Sequence, residues 1–118
     1  MVRRNKTKAK MKAGEAVFGF TIGVPDANPG LVEMLGSLGF DYVDMVCEND
    51  LFNETSIEEI IRAADLTGMT TILRTPFNPG LILHALNAGA QGVLVTRIRS
   101  KSDMQAVLDA AKFHPEGK

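Results

Sequence analysis

Few side chains among these 118 residues can do chemistry, and they gather in two short runs. Arg74 follows the apolar triplet Thr71-Ile72-Leu73, whose β-forming side chains predict a buried strand. It precedes Thr75-Pro76, where the chain is expected to leave the sheet, because proline cannot continue a central ladder. An arginine at the carboxyl end of a strand stands where α/β folds place their chemistry. The second run holds Asp44, Cys47, Glu48, Asn49 and Asp50, at the end of strand-like Tyr42–Cys47 and in the polar stretch that follows. Glu48 and Asp50 are two carboxylates in one loop, able to share a cation, although such pairs are more often just solvated. Asp44 is first a buried or edge polar residue. His84 falls on a helix and His114 in the tail, both remote from the strand ends, so neither pairs with Cys47 as base and nucleophile. The sequence has no phosphate-cradling glycine loop, no Cys-x-x-Cys and no His-x-x-x-His.

The elements that position these residues follow from periodicity and punctuation. Asn78 can cap a helix, Pro79 fits its first position, and Leu81, Ile82, Ala85 and Leu86 recur at helical spacing until Gly89. Val93–Val95 is the next strand, so Thr71–Val95 is a βαβ unit with parallel strands and a right-handed crossover. Upstream, strand one spans Ala16–Ile22. Asn28-Pro29 opens a helix bearing Leu31, Val32, Leu35 and Leu38, which Gly39 stops. After the Glu48–Thr55 loop, Ser56 with Glu59 is a capping box for a helix whose stripe is Ile57, Ile60, Ile61 and Ala64, ended by Gly68. Ser102 with Gln105 is a further box, and Met104, Val107, Leu108 and Ala111 give the last stripe. The lysines and arginines of the first twelve residues make a solvated helix with Met11 as its apolar contact. A nucleic-acid arm is the poorer reading, because no aromatic interleaves to stack a base.

The order is a short helix and then four β-α units, half of an eight-stranded barrel that needs ~250 residues. A flavodoxin-like open sheet competes, but it normally has five strands. Asn28-Pro29-Gly30-Leu31 returns as Asn78-Pro79-Gly80-Leu81, as expected of a barrel built from like parts. Four strands alone would leave two long edges, which a second copy or a carboxyl-terminal half should cover. Composition narrows the rest. With 45% apolar residues the chain can build an ordinary core, as one domain over residues 1–118. Thirteen basic against fourteen acidic residues make no field that recruits nucleic acid or anionic membrane. No apolar run approaches the ~18 residues of a span. A single cysteine suits a reducing compartment, so the expected location is the cytoplasm.

Several stretches together resemble the HpcH/HpaI aldolase family. They are Asn5 with Lys12-Ala13-Gly14-Glu15-x-Val17-Phe18-Gly19, Gly39-Phe40-Asp41-Tyr42-Val43, Arg62-Ala63-Ala64, Leu73-Arg74-x-Pro76, Ala88–Val95 and Pro115–Lys118. The similarity runs in the family's order over nearly the whole chain and covers the amino-terminal half of a member. It implies a parallel (βα)4 half of a TIM-type (βα)8 barrel with an amino-terminal helix. It also implies a carbon–carbon lyase in which a divalent metal, Mg²⁺ or Mn²⁺, holds pyruvate or a related 2-oxo acid as its enolate. An enolate oxyanion needs a metal and an adjacent cation, and a base must move a proton. Arg74 matches the family arginine that contacts the pyruvate oxygens, and its planar fork suits that task.

The same resemblance exposes departures. Where the family has Asp-x-Glu-His-Gly, this chain has Val46-Cys47-Glu48-Asn49-Asp50. Glu48 keeps the glutamate, while Asn49 stands at the base histidine and Val46 at its orienting aspartate. An asparagine cannot act as a general base near neutral pH. Asp44, two residues earlier on the same strand face, is the partial substitute. The family's metal-ligand glutamate and aspartate belong to the other half and match nothing here. The expected site is therefore Arg74 and Asn49 at the reacting end, with Arg74, Glu48 and Asp44 on the substrate and no metal ligand in this chain. The alternative is a non-catalytic half-barrel that self-associates as an assembly or regulatory subunit.

Overall fold

The computed structural model describes residues 5–23, 28–47 and 54–112. Helix α1 (Lys6–Lys12) precedes β1 (Gly19–Gly23), α2 (Pro29–Ser37), β2 (Tyr42–Val46), α3 (Glu54–Leu66), β3 (Thr70–Pro76), α4 (Pro79–Ala88), β4 (Gly92–Thr96) and α5 (Lys101–Ala111). The strands lie side by side in chain order and every pair is parallel. This is the parallel (βα)4 half of a TIM-type barrel, with one extra helix ahead of it.

Register decides what each strand face carries. Thr21, Asp44, Ile72 and Gly92 are neighbours across the sheet, and Gly23, Val46, Arg74 and Leu94 form the next such row toward the carboxyl ends. Side chains alternate along a strand, so these two rows share one face. The opposite face presents Val43, Met45, Thr71, Leu73 and Thr75, all buried under Val32, Leu35, Ile57, Ile60, Ile61 and Ile82 of the helices. Each such aliphatic side chain contributes about 1.5–3 kcal/mol when withdrawn from water, so the core lies between sheet and helices. The inner face is more open: Leu94 is 42% exposed, and Ile72 and Arg74 are only partly covered.

The repeated Asn-Pro-Gly-Leu segment does the same work twice. Asn28 accepts from the Leu31 N–H at 2.8 Å and Asn78 from the Leu81 N–H at 3.1 Å, with Pro29 and Pro79 opening α2 and α4. Gly89 ends α4 at φ 116°, a left-handed conformation that a Cβ would strain. At the amino ends of the strands, α1 is tied down by Thr7, whose hydroxyl bonds to the Thr70 hydroxyl at 2.7 Å and to the Asp41 carbonyl at 3.1 Å.

Five expectations are corrected. Strand one begins at Gly19 rather than Ala16. Met11 is 61% exposed, and the buried contact of α1 is the polar Thr7. The cap of α5 is Ser100, which accepts from the Asp103 N–H while the Asp103 carboxylate takes the Arg99 N–H; Ser102 already lies inside the helix. Ser56 likewise lies inside α3, which starts at Glu54. Pro76 also stays within β3, paired with Thr96. The β2–β3 register ends at Val46 and Arg74, so the missing proline N–H falls where β2 no longer offers an acceptor.

Candidate functional site

Because β3 continues past Leu73, Arg74 is anchored within the sheet rather than in a loop. Its carbonyl accepts the Cys47 N–H at 2.8 Å, and its neighbours in register are Val46 and Leu94. The side chain therefore stands on the inner face near the carboxyl ends of the strands, with 34% of its surface exposed. Its Nη2 donates to Oδ2 of Asp44, whose side chain is only 6% exposed. The Thr21 hydroxyl donates to the same oxygen at 3.4 Å. Asp44 thus ties β2 to both neighbouring strands.

Three polar atoms near this end keep unused bonding capacity. Asp44 Oδ1, Arg74 Nε and Thr96 Oγ1 are buried, with no hydrogen-bond partner among the described residues. An unsatisfied buried group costs about 1–3 kcal/mol, so such groups call for a partner from outside the sheet. Arg74 and Asp44 cancel each other's charge. Burial first, and the Asp44 charge after it, push the Cys47 thiol up to about 11; at neutral pH it stays protonated and is no nucleophile.

The expected site is therefore brought together only in part. Arg74 and Asp44 meet, and Val46 lies directly opposite Arg74. Glu48, Asn49 and Asp50 lie outside the described residues. His84 is on α4, its Nε2 3.2 Å from Glu58 Oε1 on α3, a contact between helices and not at the strand ends. Among the described residues no three His, Cys, Asp or Glu side chains group to hold a metal ion, so a divalent cation does not fit them. Arg74 and Asp44 were expected at one site, but their direct bond and the Thr96 hydroxyl on the same face were not foreseen. Only the register between strands reveals that they share a face.

A hollow of about 400 Å³ lies at the other end of the sheet between α1 and the inner face, lined by Thr7, Met11, Thr70, Ile72 and Gly92 among others. Its surface is mainly apolar, with Lys8 and Lys12 in the lining, and among the described residues it holds no carboxylate or histidine. Among the described residues no helix is long and apolar enough to cross a membrane.

No family model matches the chain. Individual proteins do. A 4-hydroxy-4-methyl-2-oxoglutarate aldolase of Hapsidospora irregularis is 28% identical over 93 residues, which cover 77% of this chain and 34% of that protein. A hydroxypyruvate/pyruvate aldolase of Roseobacter denitrificans is 27% identical over 115 residues, 97% of this chain and 44% of that one. Among solved structures, an HpcH/HpaI aldolase from Desulfitobacterium hafniense DCB-2 superposes with a TM-score of 0.83 at 26% identity, covering 94% of this chain and 43% of its own. The chain thus spans less than half the length of the relatives it matches.

Proposed function

We propose that the chain is a partial member of the HpcH/HpaI aldolase family, to which it is similar in sequence and fold, and that it supplies the Arg74 side of a site that binds pyruvate or a related 2-oxo acid while a carbon–carbon bond is made or broken. One observation carries this reading: Arg74 is a partly exposed guanidinium on the inner face, at the strand ends where barrel enzymes place their substrates. Its planar donors suit a carboxylate, and a cation there stabilises negative charge developing on the adjacent oxygen. The remaining strands, on a second segment or subunit, would complete the barrel. Any divalent metal would take its ligands from residues other than those described.

Proton transfer is the step this chain is worst equipped for. Asn49 occupies the place of the base in the resemblance and cannot accept a proton, and Val46, opposite Arg74, cannot orient one. The proposal therefore expects substrate binding with slow turnover. Retro-aldol kinetics, followed through pyruvate release on a form extended by the rest of the barrel, test it. Asn49→His combined with Val46→Asp should raise turnover on the order of 10²–10⁴-fold, the usual worth of a general base. Arg74→Ala should abolish binding and turnover together. Brisk turnover in the unmodified form, unimproved by the histidine, would overturn this assignment of Asn49.

A further inference from the structure

We propose that Asp44 is an internal stand-in for the substrate's carboxylate: it holds Arg74 in place and competes with an arriving anion for the same guanidinium. The inference rests on the reading of Arg74 as the carboxylate-binding group.

Asp44 has the chemistry of the ligand it opposes. Its carboxylate accepts from Arg74 Nη2, as a substrate carboxylate would, yet it is fixed to β2 and 94% withdrawn from solvent by the same measure that leaves Arg74 34% exposed. The bond involves one oxygen and one nitrogen. Asp44 Oδ1 and Arg74 Nε are left buried and without hydrogen-bond partners among the described residues. A carboxylate that served only to satisfy the arginine would use both oxygens in the parallel two-bond fork that this pair of groups favours. The single contact leaves the guanidinium incompletely paired, so it can still engage a second anion through its exposed part. That anion meets a site whose charge is already cancelled, and it approaches a like charge a few ångströms away. Thr21, the other donor to Asp44 Oδ2, is neutral and at 3.4 Å does little to offset this. Asp44 acts here as a positioning residue and as a brake on affinity.

The consequence is a gain of binding on removing a charge, which a purely structural ion pair would not give. Asp44→Asn keeps an oxygen that can accept from Nη2, but it removes the competing negative charge. Titration calorimetry with oxalate, on the unmodified chain, Asp44→Asn, Arg74→Ala and the double variant, measures the effect. Asp44→Asn is expected to bind oxalate on the order of tenfold more tightly, the scale of one unit charge removed from a partly solvated site. The advantage should shrink in 0.5 M salt, where the screening length falls to a few ångströms, and should vanish when Arg74 is also replaced. Asp44→Ser, smaller and neutral, supplies a second reading should the asparagine variant fail to fold. Equal or weaker binding in both Asp44 variants, with Arg74 still required, would overturn the role of Asp44 and leave that of Arg74 standing. Binding that survives Arg74→Ala would overturn the reading of Arg74 itself, and no binding by any variant would overturn both.

Discussion

Asp41 sits where β2 begins, and its carboxylate accepts the Phe18 N–H at 2.9 Å and the Lys10 ammonium at 2.9 Å. The Phe18 amide first, and Lys10 after it, hold this carboxyl below its ordinary value of 3.8. The bonds favour the ionised form in the folded chain, so their stabilisation is present at neutral pH and fades as the pH falls below about 4. Asp41→Asn is expected to lower stability at pH 7 by about 1 kcal/mol, the low end for a bond to a charged group near solvent. The variant should also lose less stability than the parent between pH 5 and pH 3, in thermal unfolding followed by circular dichroism. Arg74 shows how far single residues are legible in a sequence. Its place at a strand end follows from the apolar triplet before it, whereas its bond to Asp44 needs the offset between β2 and β3, which local pattern does not encode.

At the scale of elements, α2 packs closely against the turn that follows α3. A Cβ at Gly36 would stand 1.8 Å from Thr67 Oγ1 and 2.6 Å from Thr67 Cβ, so turning the Thr67 side chain alone does not make room. Gly36→Ala is therefore expected to cost about 1–3 kcal/mol despite alanine's better helix propensity, with a lowered chemical-denaturation midpoint as the readout. Thr67→Gly in the same background should recover much of the loss. Helix starts were legible where one side chain does the capping, as at Asn28 and Asn78. They were misplaced where serines compete. Ser100 and Ser102 both precede suitable residues, and the choice of Ser100 rests on its extended backbone and the reciprocal bond from Asp103. Pro76 misled for a related reason: the rule against proline in a sheet applies where a neighbour waits for its N–H, and β2 has already ended there.

The whole molecule is an arc of four strands whose outer members, β1 and β4, each have one unpaired edge among the described residues. Neither Gly19–Gly23 nor Gly92–Thr96 contains a charge or a proline, the usual guards of an exposed edge. Together with exposed Phe18, Leu38, Leu94, Met104 and Leu108, they call for a covering partner. The chain alone is expected to associate over at least about 1,200 Å². Light scattering should then give at least twice the 12.8 kDa of one chain, and a stable monomer at micromolar concentration would refute the expectation. The half-barrel was legible from the strand–helix alternation, while the hollow beneath α1 was not, because it depends on a helix folding back across the strand ends. That hollow and Arg74 lie at opposite ends of one inner face, so the end that takes a 2-oxo acid distinguishes a substrate site from a mere gap in packing. Amide chemical shifts recorded while pyruvate is added to the labelled chain locate that end directly. Perturbation is expected at Val46, Cys47, Arg74, Thr75 and Thr96, together with the Arg74 Nε–H, and should disappear in Arg74→Ala. Shifts gathered instead around Thr7, Met11, Ile72 and Gly92, with Arg74 unmoved, would contradict the placement of the site.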